Sequence, residues 1–255
     1  MANGPDSELA ARVLPPPLYR AVRHVFGQGP AGCMLVGGTA LAGYYAGHRR
    51  SDDLDLFVRD APALSATILA VESLSDLGTV ITARQKTPQF YDSVCQLEGH
   101  SFTVQVVLDP NVFVVGTFAL ASNGVAVADL QTLLKQKSAT LVSRCSEKDL
   151  FDLAWLFDCF PGTTFDQLLT LGAEIDGGMT AEAVMLSLTG TQLRQAACDF
   201  SLFEPAEAVF DRVVKMKDML ARGFDALARK QPVGTVGQLF RALKERKAPD
   251  DDSSH

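Results

Sequence analysis

The chain has no paired-cysteine motif. Its five cysteines, Cys33, Cys95, Cys145, Cys159 and Cys198, are odd in number and scattered, with no C-x-x-C step and no Cys/His spacing. Neither a disulfide framework nor a zinc site is therefore expected, and the thiols read as reduced and buried. Long apolar runs are missing as well. The longest near the middle, residues 112–121, is about half of the ~20 residues that a membrane-spanning helix needs. The first nine residues are polar and lack a basic segment followed by an apolar one, so no secretory signal is expected, and the chain reads as cytoplasmic with no membrane partner. Net basic charge is absent too: the formal value of −7 argues against a protein that coats nucleic acid indiscriminately. Within the last helical region, residues 204–247, basic residues outnumber acidic ones by 10 to 6, a stretch that reads first as a solvated helix surface and second as a face for an RNA backbone.

What is present is a chain of 255 residues, 47% hydrophobic, enough for one large soluble domain or two modest ones. Its most informative stretch is residues 36–58, VGGTALAGYYAGHRRSDDLDLFV. It reads as an apolar strand over residues 31–36, a diglycine turn, a short helix of small residues, a basic loop, and a second strand carrying two acids. Gly37 and Gly38 let backbone pass close to a ligand and expose amide groups at a helix start, where a phosphate is favoured. On an extended strand, Asp53, Asp55 and Phe57 share one face while Leu54, Leu56 and Val58 share the other. Two carboxylates beside a phosphate-binding turn suit Mg²⁺, which takes one or two acids together with substrate phosphates. The same residues also fit a tight turn followed by two solvated acids on an edge strand.

Gly37-Gly38-Thr39, His48-Arg49-Arg50-Ser51 and Asp53-Leu54-Asp55, in that order, resemble the first motif of the AbiEii/AbiGii nucleotidyltransferase toxin family, a branch of the polymerase-β-like nucleotidyltransferases. A second segment resembles the family's later motifs: Lys137, then Arg144, then Lys148-Asp149-x-x-Asp152-Leu153. Together the two cover roughly residues 33–158. The resemblance implies a small mixed α/β sheet of nucleotidyltransferase type with flanking helices, followed by a C-terminal helical region. It implies Asp53 and Asp55 as metal ligands for Mg²⁺, Lys137 and Asp152 as further catalytic residues, and Gly37, Gly38, Thr39, Arg49, Arg50, Ser51, Arg144 and Asp149 as nucleotide contacts. It also implies an NTP as donor, an RNA or tRNA end as possible acceptor, and a cognate antitoxin as possible partner.

The later residues also have plain structural readings. Asp149 follows Ser146 at capping-box spacing, Lys148 and Asp152 could form a surface ion pair, and Arg144 could be a helix-end cation. His48 reads as a phosphate contact or as a solvated loop residue. The third strand of the expected meander should supply a third acid in a nucleotidyltransferase; Gln105 stands there instead, leaving Asp92 or Asp109 as substitutes.

Along the rest of the chain, residues 7–13 and 18–26 read as helices separated by Pro15-Pro16-Pro17, and residues 64–74 show helical spacing. Period two over residues 79–84, 90–97 and 102–108 reads as strands. From residue 125 the pattern reads as helical throughout, with segments at 129–142, 146–158, 165–175, 181–188, 192–199, 206–220 and 236–243. The expected organisation is a core over residues 1–124, a helical domain over 125–247 and a disordered tail over 248–255. Two alternatives stay open: a small-molecule transferase of the antibiotic-modifying kind, which would need a closed acceptor pocket, and a degenerate nucleotide-binding module that lacks transfer.

Overall fold

A computed structural model describes residues 4–143 and 145–245. The tail expected to be disordered, residues 248–255, lies outside the described residues. The centre of the fold is a seven-stranded mixed sheet in the order β3-β4-β5-β2-β1-β7-β6. Its strands are β1 (Cys33–Leu35), β2 (Asp53–Val58), β3 (Val80–Lys86), β4 (Phe90–Leu97), β5 (His100–Leu108), β6 (Phe118–Leu120) and β7 (Ala126–Ala128). Strand β2 is antiparallel to β1 and parallel to β5, so it lies inside the sheet and not at an edge. Its alternation is the expected one: Leu54, Leu56 and Val58 are wholly buried while Asp53, Asp55 and Phe57 on the other face are half-buried.

The apolar face of the sheet is covered by helices whose ends are set by local chemistry. Helix α1 (Ser7–Val13) starts at Asp6, whose carboxylate accepts from the Glu8 and Leu9 N–H groups. Helix α2 (Pro16–Gly27) begins inside the proline run: Pro16 and Pro17 occupy its first turn, where a missing N–H costs nothing, so the break falls at Leu14–Pro15. Helix α3 (Ala61–Glu72) starts at Asp60, which accepts from the Ala63 N–H at 2.9 Å. Leu18, Val22, Leu35, Leu56, Ile68 and Val71 are core residues of these helices and the apolar sheet face.

The segment after Gly124 departs from the helical expectation. Strands β6 and β7 pair as a hairpin, and β7 lies parallel to β1 with Leu35 opposite Val127, so the sheet extends to Ala128. Three-residue strands built from Ala, Val, Phe and Leu are too short to show period two, and tertiary pairing decides their conformation. After the short α4 (Pro110–Val115), the helical region proper comprises α5 (Leu130–Ser143), α6 (Glu147–Cys159), α7 (Phe165–Ala173), α8 (Ala181–Gly190), α9 (Ala206–Ala228) and α10 (Val236–Glu245). The helix expected over residues 192–199 is only a single tight turn, Gln195–Ala197. Cys33, Cys95, Cys145 and Cys198 are buried free thiols, as expected, whereas Cys159 is exposed. Among the described residues no helix is long and apolar enough to cross a membrane.

Gly223 shows how closely the helices approach. It sits inside α9, and a Cβ there would lie 2.1 Å from the Phe165 ring, which is fully buried and edge-on to Phe224 at 5.1 Å. Alanine would recover roughly 1 kcal/mol of helix propensity, but forcing a methyl into a packed ring costs about 1–3 kcal/mol. With so close an overlap the upper end of that cost applies, and Gly223→Ala is expected to lower the urea-unfolding free energy by about 2 kcal/mol; an equally stable or stabilised variant would show that Phe165 can move aside.

Candidate active site

The turn after β1 is shaped by what packs on it. Gly37 has φ +66°, and a Cβ there would come within 2.1 Å of Asp55 Oδ2. A Cβ on Gly38 would lie 2.5 Å from Arg49 Nη2 and 3.0 Å from Ser51 Oγ. Both glycines are thus needed for the close approach of the Asp55 carboxylate and the Arg49 guanidinium, and the first also for its backbone conformation. The small-residue segment that follows, Thr39–Ala46, is a π-helix that ends at Gly47 with φ +61°. Such wide turns are rare and concentrate at functional sites. It carries the chain round to the basic loop and into β2.

On β2, Asp53 and Asp55 face the same side, and the parallel register sets Thr103 beside Asp53 and Gln105 beside Asp55. The Thr103 hydroxyl donates to Asp53 Oδ1. Strand β4 places Asp92 opposite Gln105, so Asp55, Gln105 and Asp92 form a row across three strands. Asp92 accepts from Arg84 Nη2. Asp109 lies at the end of β5, where its Oδ1 caps α4 by accepting from the Val112 N–H at 3.1 Å.

The second part of the site is a buried ion cluster centred on Asp152 of α6. Arg49 grips this carboxylate with two parallel hydrogen bonds, Nε to Oδ1 at 2.6 Å and Nη2 to Oδ2 at 2.8 Å. Lys137 of α5 reaches Asp152 Oδ2 at 2.7 Å and Asp149 Oδ1 at 2.7 Å. His48 Nε2 stands 2.9 Å from Asp152 Oδ1, and its ring stacks on Phe151 at 5.2 Å. Asp152 is 0% exposed. Burial alone would raise its pKa, but Arg49 and Lys137, with hydrogen bonds from Arg49 and His48, together hold it well below the usual carboxylate range. Burial would likewise strip Lys137 of its proton, and Asp152 and Asp149 overcome this and raise its pKa. Burial lowers the pKa of His48, aided by Arg49 and Lys137 and opposed by Asp152. A neutral ring beside a carboxylate carries its proton on Nε2; Nδ1 is then a bare acceptor, and it is buried without a partner.

Asp149 has two tasks. It completes the capping box expected from the sequence, with Ser146 N–H donating to Oδ2 at 3.1 Å and Ser146 Oγ accepting from the Asp149 N–H at 3.3 Å. Its other oxygen holds Lys137. The structural and functional readings of this residue are compatible because a carboxylate has two oxygens.

A cavity of about 720 Å³ lies between the polar face of the sheet and α5–α6. It brings together Gly37, Gly38, Arg49, Ser51, Asp53, Asp55, Lys137 and Asp149 from two distant stretches of sequence. Other expected contacts lie elsewhere. Thr39 is fully buried, with its hydroxyl donating to the Asp53 carbonyl and hydrogen-bonded to Ser51 Oγ. Arg50 is exposed and does not line the cavity; its backbone N–H donates to the Phe200 carbonyl at 2.8 Å. Asp152 does not line the cavity; it pairs with Lys137 and Arg49, which do. Arg144 lies outside the described residues. The cavity adds Gln136, Asp109 and Lys148, of which Gln136 had been passed over in the sequence. Its signal was a polar stripe, Gln136, Thr140 and Ser143, at helical spacing on α5.

Among the described residues no group of three or more His, Cys, Asp or Glu side chains is placed to hold a metal by itself. The Asp53 and Asp55 pair fits the hard, oxygen-only chemistry of Mg²⁺ when substrate phosphates complete the coordination.

Neither a protein-family model nor a curated protein sequence matches the chain. Solved structures do. MenT4, a nucleotidyltransferase toxin from Mycobacterium tuberculosis, matches with a TM-score of 0.50 and 16% identity over 93% of this chain and 94% of that one. JHP933 from Helicobacter pylori matches with a TM-score of 0.45 and 17% identity over 94% of this chain and all of that one. The likeness to MenT4 shows a shared fold, so the chain has the nucleotidyltransferase-type fold expected from its motifs.

Removing the centre of the ion cluster should be costly. Asp152→Asn leaves Arg49 and Lys137 buried against a neutral amide, and loss of one partner from a buried pair typically costs about 3–5 kcal/mol. Because the folded carboxyl titrates below its ordinary 3.8, its stabilisation is complete above that pH and is lost as pH falls through the depressed value. Denaturant unfolding should therefore show a wide gap between wild type and Asp152→Asn at pH 7 that narrows on acidification below about pH 4. A gap that is small, or independent of pH, would contradict the assigned role.

Proposed function

We propose that this chain is a metal-dependent nucleotidyltransferase, which moves a nucleoside monophosphate from an NTP to an acceptor hydroxyl and releases pyrophosphate. The observation that carries this reading is the cavity itself: two carboxylates on one strand face, a diglycine turn against them, and a charged lysine across from both. Asp53 and Asp55 would hold Mg²⁺, which when bound neutralises the triphosphate and polarises the α-phosphate. Gly37 and Gly38 form the turn packed against Asp55, Arg49 and Ser51 on the cavity wall, and their backbone N–H groups would meet phosphate oxygens. Lys137 donates to Asp149 and is ion-paired with Asp152 at 2.7 Å; its remaining donor capacity would serve charge developing on the leaving pyrophosphate. Arg49 fixes the floor of the site through Asp152.

Proton removal from the acceptor falls to Asp109. Gln105, beside Asp55, cannot accept a proton as a base, and Asp92 is engaged by Arg84 and does not line the cavity. Asp109 lines it, and its cap uses one oxygen and leaves the other for the acceptor. For the acceptor we favour an RNA end, tRNA in particular, and for the protein the toxin role of a toxin–antitoxin pair. The motif resemblance supports both, and the fold shared with a nucleotidyltransferase toxin supports the second. The amide at Gln105 favours one competing reading, a module that binds nucleotide without transferring it.

The test is Mg²⁺-dependent pyrophosphate release from each NTP in the presence of total RNA. Asp53→Asn and chelation of the metal should each abolish release while circular dichroism stays unchanged. Asp109→Asn should slow release by about 10²–10⁴-fold, the scale of a lost general base, and Asp92→Asn should leave it near wild type. Equal turnover by Asp53→Asn would remove the proposed site; tight Mg²⁺-dependent nucleotide binding with no pyrophosphate released would leave the binding module.

A further inference from the structure

One polar group in the cavity is explained neither by the phosphate end nor by the acids. Gln136 lines the cavity, yet its amide oxygen and nitrogen are both shut off from solvent and neither has a hydrogen-bond partner. A primary amide offers two donors and an acceptor with two lone pairs, and leaving them buried and unbonded is costly. Native proteins leave few such groups, and one on a cavity wall calls for a bonding partner that arrives with a ligand. The terminal torsion of a glutamine is broad, so a modest rotation brings the amide to that ligand.

The surroundings specify what the ligand presents. Phe57 and Val107, paired across β2 and β5, line the same cavity with Ala139 of α5 and with Ile175. Gln105, the cavity's other amide, lies beside Asp55; this apolar stretch with the Gln136 amide suits a flat heteroaromatic base, whose faces are apolar and whose edge carries donors and acceptors. Gln136 and Lys137 are successive on α5, so their side chains diverge by about 100° around the helix and address different regions of the cavity. Resting on the nucleotidyltransferase reading, we propose that Gln136 selects the base of the donor NTP, its amide pairing with the base edge while Lys137 meets the phosphates.

The experiment is calorimetric titration, with Mg²⁺, of the α,β-methylene analogues of the four ribonucleoside triphosphates. Wild type should prefer one base over the weakest by about tenfold or more, the scale of one bidentate amide–base pair. Gln136→Leu should bring the four affinities to within about threefold of one another by weakening only the favoured analogue. Its melting temperature without ligand should match or exceed that of wild type, since an unbonded buried amide has been removed. Gln136→Glu keeps the shape and turns the amide donor into an acceptor, so it should change the order of preference. The same order and ratio in both variants, or equal binding of all four analogues by wild type, would overturn the role of Gln136 and leave nucleotidyl transfer standing. Binding of none of the four by wild type would overturn both readings.

Discussion

The site depends on one buried carboxylate. Asp152 has no exposure to solvent, and four groups from three elements are fixed by reference to it: Arg49 and His48 from the loop before β2, Lys137 from α5, and Asp149 of α6 through their shared lysine. A lone carboxylate in that position would be neutralised by desolvation. Two cations and three hydrogen-bond donors keep it ionised, and it in turn keeps Lys137 protonated where burial would remove the charge. The bidentate grip of Arg49 also fixes the loop that leads into β2, and so the start of the strand that carries Asp53 and Asp55. The cluster therefore ties the sheet to the helical region and sets the distance across the cavity.

The local devices of the fold could be read from the sequence, because each is written within a few residues. The alternation of Asp53-Leu54-Asp55-Leu56 placed both acids on one face, and the Ser146–Asp149 spacing announced the start of α6. The register of β5 against β2 was also accessible in outline, which is why Gln105 was expected beside the aspartates and is found there. Long-range choices were not legible. Nothing local says that Arg49 would turn from the phosphate site to a carboxylate 103 positions later, or that Thr39 would spend its hydroxyl on the Asp53 carbonyl. The hairpin of β6 and β7 was hidden because its strands are three residues long and owe their conformation to β1. Gln136 was missed because an amide on a helix reads as surface until the opposite wall is known.

The charges around the cavity fit a substrate that brings its own negative charge and a cation together. Lys137 and Arg49 are largely balanced by Asp149 and Asp152, and the cavity is further lined by Asp53, Asp55, Asp109 and Asp176 together with Lys148. On the proposed reading, such a site would repel a bare triphosphate and accept one accompanied by a divalent metal. The two glycines let Asp55 and Arg49 close on the turn where the phosphates would lie, and the apolar residues Phe57, Val107, Ala139 and Ile175 offer a place for the rest of the nucleotide.

The central claim is that the bond broken lies between the α- and β-phosphates. It is tested most directly by incubating the protein and Mg²⁺ with total RNA and an NTP labelled either at the α- or at the γ-phosphate, and following the label into RNA. Transfer of a nucleoside monophosphate predicts α-label on the RNA and γ-label in released pyrophosphate. Incorporation of γ-label, or label on RNA from neither position with any of the four nucleotides, would contradict it.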